Sequence, residues 1–193
     1  MDKIVVLDFG SQYSHLICRR IRESNVYCEL LPYNSPISLI KKLEPKGIVL
    51  SGGPSSVYLE GSPKPDKKIF DMGIPVLGIC YGHQLIVNEF DGKIKRFDNR
   101  EYGLADLEID DDSDLFKGIN KKIRCWMSHA DAAETIPNDF NILAHTNNSN
   151  SAAIANRNRG FYGIQFHPEV SHTEEGNRIL RNFSHSISNA KPD

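Results

Sequence analysis

A cysteine flanked by glycines, Gly78-Ile79-Cys80-Tyr81-Gly82, sits between the apolar run Ile74-Pro75-Val76-Leu77 and a helix-like stretch over residues 84–90. This junction constrains the fold more than any other stretch. A buried strand that runs straight into a helix needs a sharp turn, and glycines two residues either side of Cys80 remove side chains that such a turn cannot hold. The steric pattern is that of the Gly-x-Ser-x-Gly nucleophile elbow, with sulfur for oxygen. The turn lifts its central residue above a sheet, beside free N–H groups at a helix N-terminus, a setting that favours a thiolate. Cys80 is therefore the candidate nucleophile. The rest of the chain is expected to supply a base, a group that orients the base, and an oxyanion hole.

Upstream of the elbow, strand-like runs at 3–9, 26–31 and 47–50 alternate with helical patterns at 13–23, 36–43 and 66–72. Ser35 before Pro36 reads as a cap and first-turn proline. This alternation predicts an α/β fold, an open and mostly parallel sheet covered by helices on both faces. Functional loops of such a sheet lie at the carboxyl ends of its strands. Gly10-Ser11, Ser51-Gly52-Gly53 and the Cys80 elbow all fall there. The second half changes texture. Runs at 93–97, 104–109, 122–126, 141–146, 152–155 and 161–166 alternate like a mixed or antiparallel region, and 174–186 closes the chain as a helix. Without a repeat or linker, residues 1–193 read as a single domain.

Composition narrows the function classes. At 25% charged residues and a net charge of −2, nothing points to nucleic acid or a membrane surface as partner. Apolar runs are too short to span a bilayer, and Met1-Asp2-Lys3 leads into a strand rather than a signal peptide, so a cytoplasmic location is expected. The four cysteines are widely spaced without Cys-x-x-Cys, which argues against a zinc site or a disulfide framework. Cys18, Cys28 and Cys125 are expected to be buried fillers, Trp126 to be core, and Arg19, Arg20 and Arg22 to form a solvated helix face.

A base follows the last strand-like run, in Phe166-His167-Pro168-Glu169. In an extended segment, residues two apart project to one side. Glu169 can then hold the His167 imidazole in one tautomer and stabilise its charged form, while His167 takes the thiol proton and returns it to a leaving group. Beside the nucleophile, the Tyr81 N–H is one oxyanion donor, and the glycine loop Gly52-Gly53 is the best placed source of a second. Each such donor is worth about 3 kcal/mol of barrier in comparable sites.

Three stretches together carry a resemblance: Ser51-Gly52-Gly53-Pro54, Gly78 to Gln84, and Gly163-Ile164-Gln165-Phe166-His167-Pro168-Glu169-Val170. They resemble, in order, the signatures of the class I (triad) glutamine amidotransferases. Leu7-Asp8-Phe9-Gly10-Ser11-Gln12-Tyr13, Arg100-Glu101-Tyr102-Gly103 and Trp126-Met127-Ser128-His129 further resemble the GMP synthase branch of that family. The resemblance implies a flavodoxin-like sheet and hydrolysis of L-glutamine through a glutamyl thioester on Cys80, with His167 and Glu169 completing the triad. It implies oxyanion donors at Gly53 and Tyr81, and glutamine contacts at Gly52, Gln84, Ser128 and His129. It places Glu101 and Tyr102 near the site or a partner. The family commonly has glycine where this chain has Ala130, which would cost about 1 kcal/mol if that residue needs a positive φ.

The branch also needs ATP chemistry, and its phosphate loop resembles Ser-Gly-Gly-x-Asp-Ser. Here the single Ser-Gly-Gly is followed by Pro54, and there is no Walker A sequence. The resemblance thus implies a chain that makes ammonia and has no metal or cofactor of its own. A docked ATP-pyrophosphatase subunit, carrying Mg-ATP, would use the ammonia to aminate XMP; an excised domain of a longer protein would look the same. Alternatives within the chemistry are amidotransferases of anthranilate, aminodeoxychorismate or carbamoyl phosphate synthesis, or a γ-glutamyl hydrolase-like enzyme. Gly10-Ser11-Gln12-Tyr13 and Trp126 to His129 argue against the former, and Gln84 and Glu169 against the latter.

Overall fold

The computed structural model describes all 193 residues, apart from the side chain of Asn99. The first half is β1 (Lys3–Asp8), α1 (Ser14–Glu23), β2 (Tyr27–Pro32), α2 (Ile37–Lys42), β3 (Gly47–Leu50), β4 (Val76–Ile79) and α3 (Tyr81–Glu89). A tight helical turn, Lys67–Asp71, precedes β4 and is capped by the Asp66 carboxylate on the Lys68 N–H. The second half is β5 (Lys93–Ile109), β6 (Lys122–Thr135), β7 (Asn141–His145), β8 (Ala153–Asn156), β9 (Phe161–Ile164) and α4 (Gly176–Arg181), which widens into a looser helical turn, Asn182–Ile187.

All nine strands form one sheet, in the order β2-β1-β3-β4-β9-β8-β7-β5-β6. Pairing is parallel from β2 to β9 and antiparallel from β9 to β6. The antiparallel region expected from the second half is therefore a continuation of the parallel sheet. The switch occurs at β9, which pairs parallel with β4 on one side and antiparallel with β8 on the other.

Helices cover both faces, and β1 shows how the strand sequence does this. Ile4 and Val6 enter a core with Ile17 and Ile21 of α1 and Ile179 of α4. Val5 and Leu7 enter the opposite core with Ile40 of α2 and Leu85 and Ile86 of α3. Successive side chains point to opposite faces, so a strand buried on both sides reads as an unbroken apolar run. Each such side chain contributes about 1.5–3 kcal/mol of burial.

Two runs expected to be separate strands, 93–97 and 104–109, are one strand, β5, whose register with β6 shifts between Arg96 and Glu101. The polar stretch that interrupts the alternation is this irregularity. β6 runs through to Thr135, so Ser128 to Asp131 lie in a strand rather than a loop. Ala130 is not among the residues with positive φ, and the glycine the family prefers there is not needed for strand geometry. Trp126 is half-buried rather than core, with its ring 4.8 Å from that of His172. Cys18, Cys28 and Cys125 are buried free thiols. Among the described residues no helix is long and apolar enough to cross a membrane.

Candidate active site

The elbow forms as its glycines require. A side chain on Gly78 would run into the Gly82 carbonyl, and one on Gly82 into the Leu50 carbonyl. The helix begins at once after the cysteine, at Tyr81. Cys80 itself has φ 53° and ψ −103°, a conformation that L-residues avoid. Its N–H donates to the Ile164 carbonyl at 2.8 Å, and its own carbonyl accepts from the Gln84 N–H at 3.1 Å. The strained residue is thus held by β9 on one side and α3 on the other.

The segment after β9 carries the candidate base. His167 Nδ1 lies 2.6 Å from Glu169 Oε1, and both side chains are buried. Burial pushes the imidazole towards its neutral form. Hydrogen bonds to the Cys80 sulfur and to Glu169 more than offset this, and the His167 pKa is raised to about 11. The segment is pinned from several directions. The His167 N–H donates to the Trp126 carbonyl at 3.0 Å, and Thr173 Oγ1 donates to the His167 carbonyl at 2.6 Å. Arg20 Nε reaches across from α1 to the Glu169 carbonyl at 3.1 Å. Arg22 likewise binds the Cys28 carbonyl at 2.5 Å. Of the three arginines expected on a solvated face, Arg19 and Arg22 are exposed and Arg20 is half-buried; Arg20 and Arg22 also serve as ties, which the helical spacing of charges does not reveal.

A cleft of about 560 Å³ opens beside the sulfur, lined in part by Gly53, Tyr81, Gln84, Ser128, His129 and His167. Tyr102, 63% exposed, stands at its wall. Gly52 lies deeper: a Cβ there would sit 3.0 Å from His167 Cε1 and 3.5 Å from Cys80 Cβ. It leaves room for the cysteine–histidine pair and is not part of the cleft lining. Ser51 Oγ accepts from the Phe9 N–H at 2.9 Å and donates to the Gly52 carbonyl at 2.8 Å. Because the peptide is planar and trans, this puts the Gly53 N–H on the opposite edge. As the first residue of α3, Tyr81 has an N–H with no partner inside the helix.

Gln84 points into the protein. Its Nε2 lies 2.9 Å from the Asp131 carbonyl. Asp131 in turn accepts from Ser56 Oγ at 2.5 Å and the Tyr58 hydroxyl at 3.1 Å, which ties the loop after Gly53 to β6. His129 Nδ1 faces the same Asp131 carbonyl at 2.8 Å and therefore carries a hydrogen. Its Nε2 lies 3.8 Å from Glu101 Oε2, and Glu101 Oε1 accepts from Thr146 Oγ1 at 2.9 Å. Glu101, placed near the site by resemblance, is thus a buried support behind the cleft wall. Ser51, Gln165, Asp131 and Arg20 escape a reading of the sequence. Gln165 lies two residues before His167, but the chain bends there and nothing in the spacing points to its contact with Cys80.

The arrangement suits acyl transfer: a thiol beside a charged imidazole, a carboxylate behind it, and a cleft lined by Gly53 and Tyr81. Among the described residues no cluster of His, Cys, Asp or Glu is suited to hold a metal ion.

Comparison with known proteins agrees with this geometry. GMP synthase [glutamine-hydrolyzing] of Brachyspira hyodysenteriae is 51% identical over 187 residues, covering 97% of this chain and 36% of that protein. Its counterpart in Caldanaerobacter subterraneus is 52% identical over 192 residues, covering 100% of this chain and 38% of that protein. The chain therefore spans little more than a third of the length of these relatives. A crystal structure assigned to a GMP synthase subunit of Thermoplasma acidophilum superposes with a TM-score of 0.89 at 33% identity, covering 98% of this chain and 94% of that one. A glutamine amidotransferase of Thermotoga maritima shares the fold, with a TM-score of 0.78 at 18% identity, covering 98% of this chain and 99% of that one. The family model for glutamine amidotransferase class-I matches residues 5–187, and the chain belongs to that family.

Proposed function

We propose that this chain, as one domain over residues 1–193, is the glutamine-hydrolysing part of a GMP synthase. The observation that carries the reading is the Cys80 elbow opening onto the same cleft as His167, whose imidazole is held 2.6 Å from the buried Glu169 carboxylate. Similarity to GMP synthases along the whole chain supports the choice of pathway.

In this reading the Cys80 sulfur attacks the carboxamide carbon of L-glutamine after its proton has moved to His167. The carbonyl oxygen gains the electron pair and is held by the N–H groups of Gly53 and Tyr81. His167 protonates the departing amine, the C–N bond breaks, and ammonia leaves a glutamyl thioester. Water then attacks with His167 as base, and glutamate is released as the Cys80–carbonyl bond breaks. Glu169 keeps the imidazole oriented throughout and offsets its charge. Ser128 and His129 line the space for the glutamine backbone, and Gln84 supports them through the Asp131 carbonyl.

This half-reaction needs no cofactor. Mg-ATP and XMP belong to an ATP-pyrophosphatase part, on a separate subunit or the same polypeptide, which takes ammonia before water can protonate it. Four free cysteines fit a reducing, cytoplasmic compartment. The test is reconstitution of this chain with the pyrophosphatase part of a GMP synthase, XMP and Mg-ATP. GMP should form from glutamine only when this chain is present, and from added ammonia without it. Cys80→Ala should abolish the glutamine-dependent activity alone. Failure of glutamine alongside success of ammonia, with folded wild-type chain present, would contradict the assignment.

A further inference from the structure

We propose that Gln165 is a further catalytic residue, whose side-chain amide donates a hydrogen bond to the Cys80 sulfur and helps hold it as a thiolate aimed at the substrate. The inference rests on Cys80 being the nucleophile. Gln165 is 1% exposed, and its Nε2 lies 3.7 Å from Cys80 Sγ, within range for an N–H···S bond.

The direction of that amide follows from a chain of contacts that ends on a group able only to accept. The Asp131 carbonyl has no proton, so the Gln84 atom 2.9 Å from it must be the donor nitrogen. The same nitrogen faces the Gln165 side-chain oxygen at 3.5 Å. With its oxygen turned to Gln84, Gln165 has its NH₂ turned to the sulfur. The reverse orientation would set two NH₂ groups against each other and a carbonyl oxygen against the thiolate. Backbone bonds fix both ends of the contact: Cys80 N–H to the Ile164 carbonyl and Gln165 N–H to the Ala152 carbonyl, each at 2.8 Å. The amide is therefore ordered before substrate arrives, in a buried setting where such a bond is strengthened.

The sulfur has three polar neighbours. His167 takes the thiol proton, and the Ser128 carbonyl, 3.8 Å away, favours the protonated thiol. Gln165 supplies the neutral donor that opposes Ser128, and it keeps its own protons throughout. After β9 the chain bends at Gln165 and Phe166 and turns at Pro168 and Glu169, in place of the extended run expected from the sequence, and this path brings Gln165 to the sulfur and His167 to Glu169. The other titratable groups lining the cleft are Tyr13, Tyr81, His129 and Asp131 with Tyr102 and Arg96, and none of them hydrogen-bonds to Gln165, whose partners are Ala152, Gln84 and Cys80.

The test is alkylation of Cys80 by iodoacetamide, followed by mass spectrometry at pH 6 and pH 9, in the full chain. The reagent needs no glutamine and no partner. Wild-type Cys80, which lines the cleft, should react faster than the buried Cys18, Cys28 and Cys125. In Gln165→Met, which keeps the side-chain length without a donor, the pH 6 to pH 9 rate ratio should fall about tenfold, as expected for loss of one bond to a charged group. Reconstituted kcat should fall with KM nearly constant. An unchanged ratio in folded Gln165→Met, shown by circular dichroism, overturns the inference and leaves the nucleophile standing. Alkylation of wild-type Cys80 no faster than that of Cys18, Cys28 and Cys125 at both pH values overturns the nucleophile and the inference together. If Gln165→Met does not fold, Gln84→Met tests the same contacts from their other end: the ratio should fall severalfold, and an unchanged ratio overturns the inference.

Discussion

Cys80 combines two demands that conflict in an ordinary residue. It must project from the elbow, and it does so at φ 53° and ψ −103°, where a side chain is strained by about 1–3 kcal/mol. Cys80→Gly should therefore be more stable than Cys80→Ala by about 1–2 kcal/mol in urea unfolding, while both lack glutaminase activity. Equal stability would show that the elbow carries no strain. His167 makes the second demand. A free histidine loses its proton near pH 6.5, but this one, raised to about 11, stays charged through pH 8 and gives up its proton only as pH rises towards 11. Imidazole ¹⁵N NMR should show both ring nitrogens protonated at pH 8. In Cys80→Ala the bond to sulfur is gone, burial acts with less opposition, and the titration should move down. The triad is legible in the sequence because Cys80, His167 and Glu169 lie at strand ends with fixed spacing. Gln165 and Arg20 are not, because their roles depend on partners at 85 and 149 residues' separation.

At the scale of elements, the strand–elbow–helix unit and the β5–β6 ribbon build the site from two sides. The glycines are steric necessities: Gly78→Ala should destabilise the chain by about 3 kcal/mol, since the displaced group is the backbone of Gly82 rather than a flexible side chain. A loss below about 1 kcal/mol would mean that β4 and α3 can separate freely. Arg20 joins α1 to the base segment, and Arg20→Ala should lower kcat severalfold with little change in global unfolding, because the tie is made to the Glu169 carbonyl and not to the core. The βα alternation is legible because β1, β3 and β4 are buried on both faces and read as apolar runs. β5 reads as two strands because a register shift breaks its period of two between Arg96 and Glu101. The last helix reads longer than α4 alone, since a widened turn at Asn182–Ile187 keeps a similar spacing of apolar residues.

For the whole molecule, one sheet with a core on each face explains how distant stretches of chain meet in one cleft. The parallel half places three glycine-rich loops at one end, and β9 delivers the base there because it pairs directly with β4, the strand that leads to Cys80. Away from the site, Arg157 binds Asp111 and Asp114, and the Tyr162 hydroxyl donates to Asp114, joining the turn before β9 to the segment after β5. Hydrogen bonds from Ser113, with Arg157 adding to them, hold the Asp111 carboxyl down at about 2. Its contribution to stability is present above about pH 4 and is lost as pH falls through 2. Arg157 and Asp111 are each 33% exposed, so screening limits the effect of Arg157→Gln to about 1 kcal/mol at pH 7, and the difference from wild type should shrink at pH 2. The central claim is covalent catalysis at Cys80, and acid-quenched mass spectrometry of the reconstituted enzyme turning over glutamine tests it most directly. A glutamyl adduct on the peptide bearing Cys80, absent from Cys80→Ala, is the predicted result. Sustained glutamine hydrolysis by Cys80→Ala, or an adduct on a different residue, would contradict it.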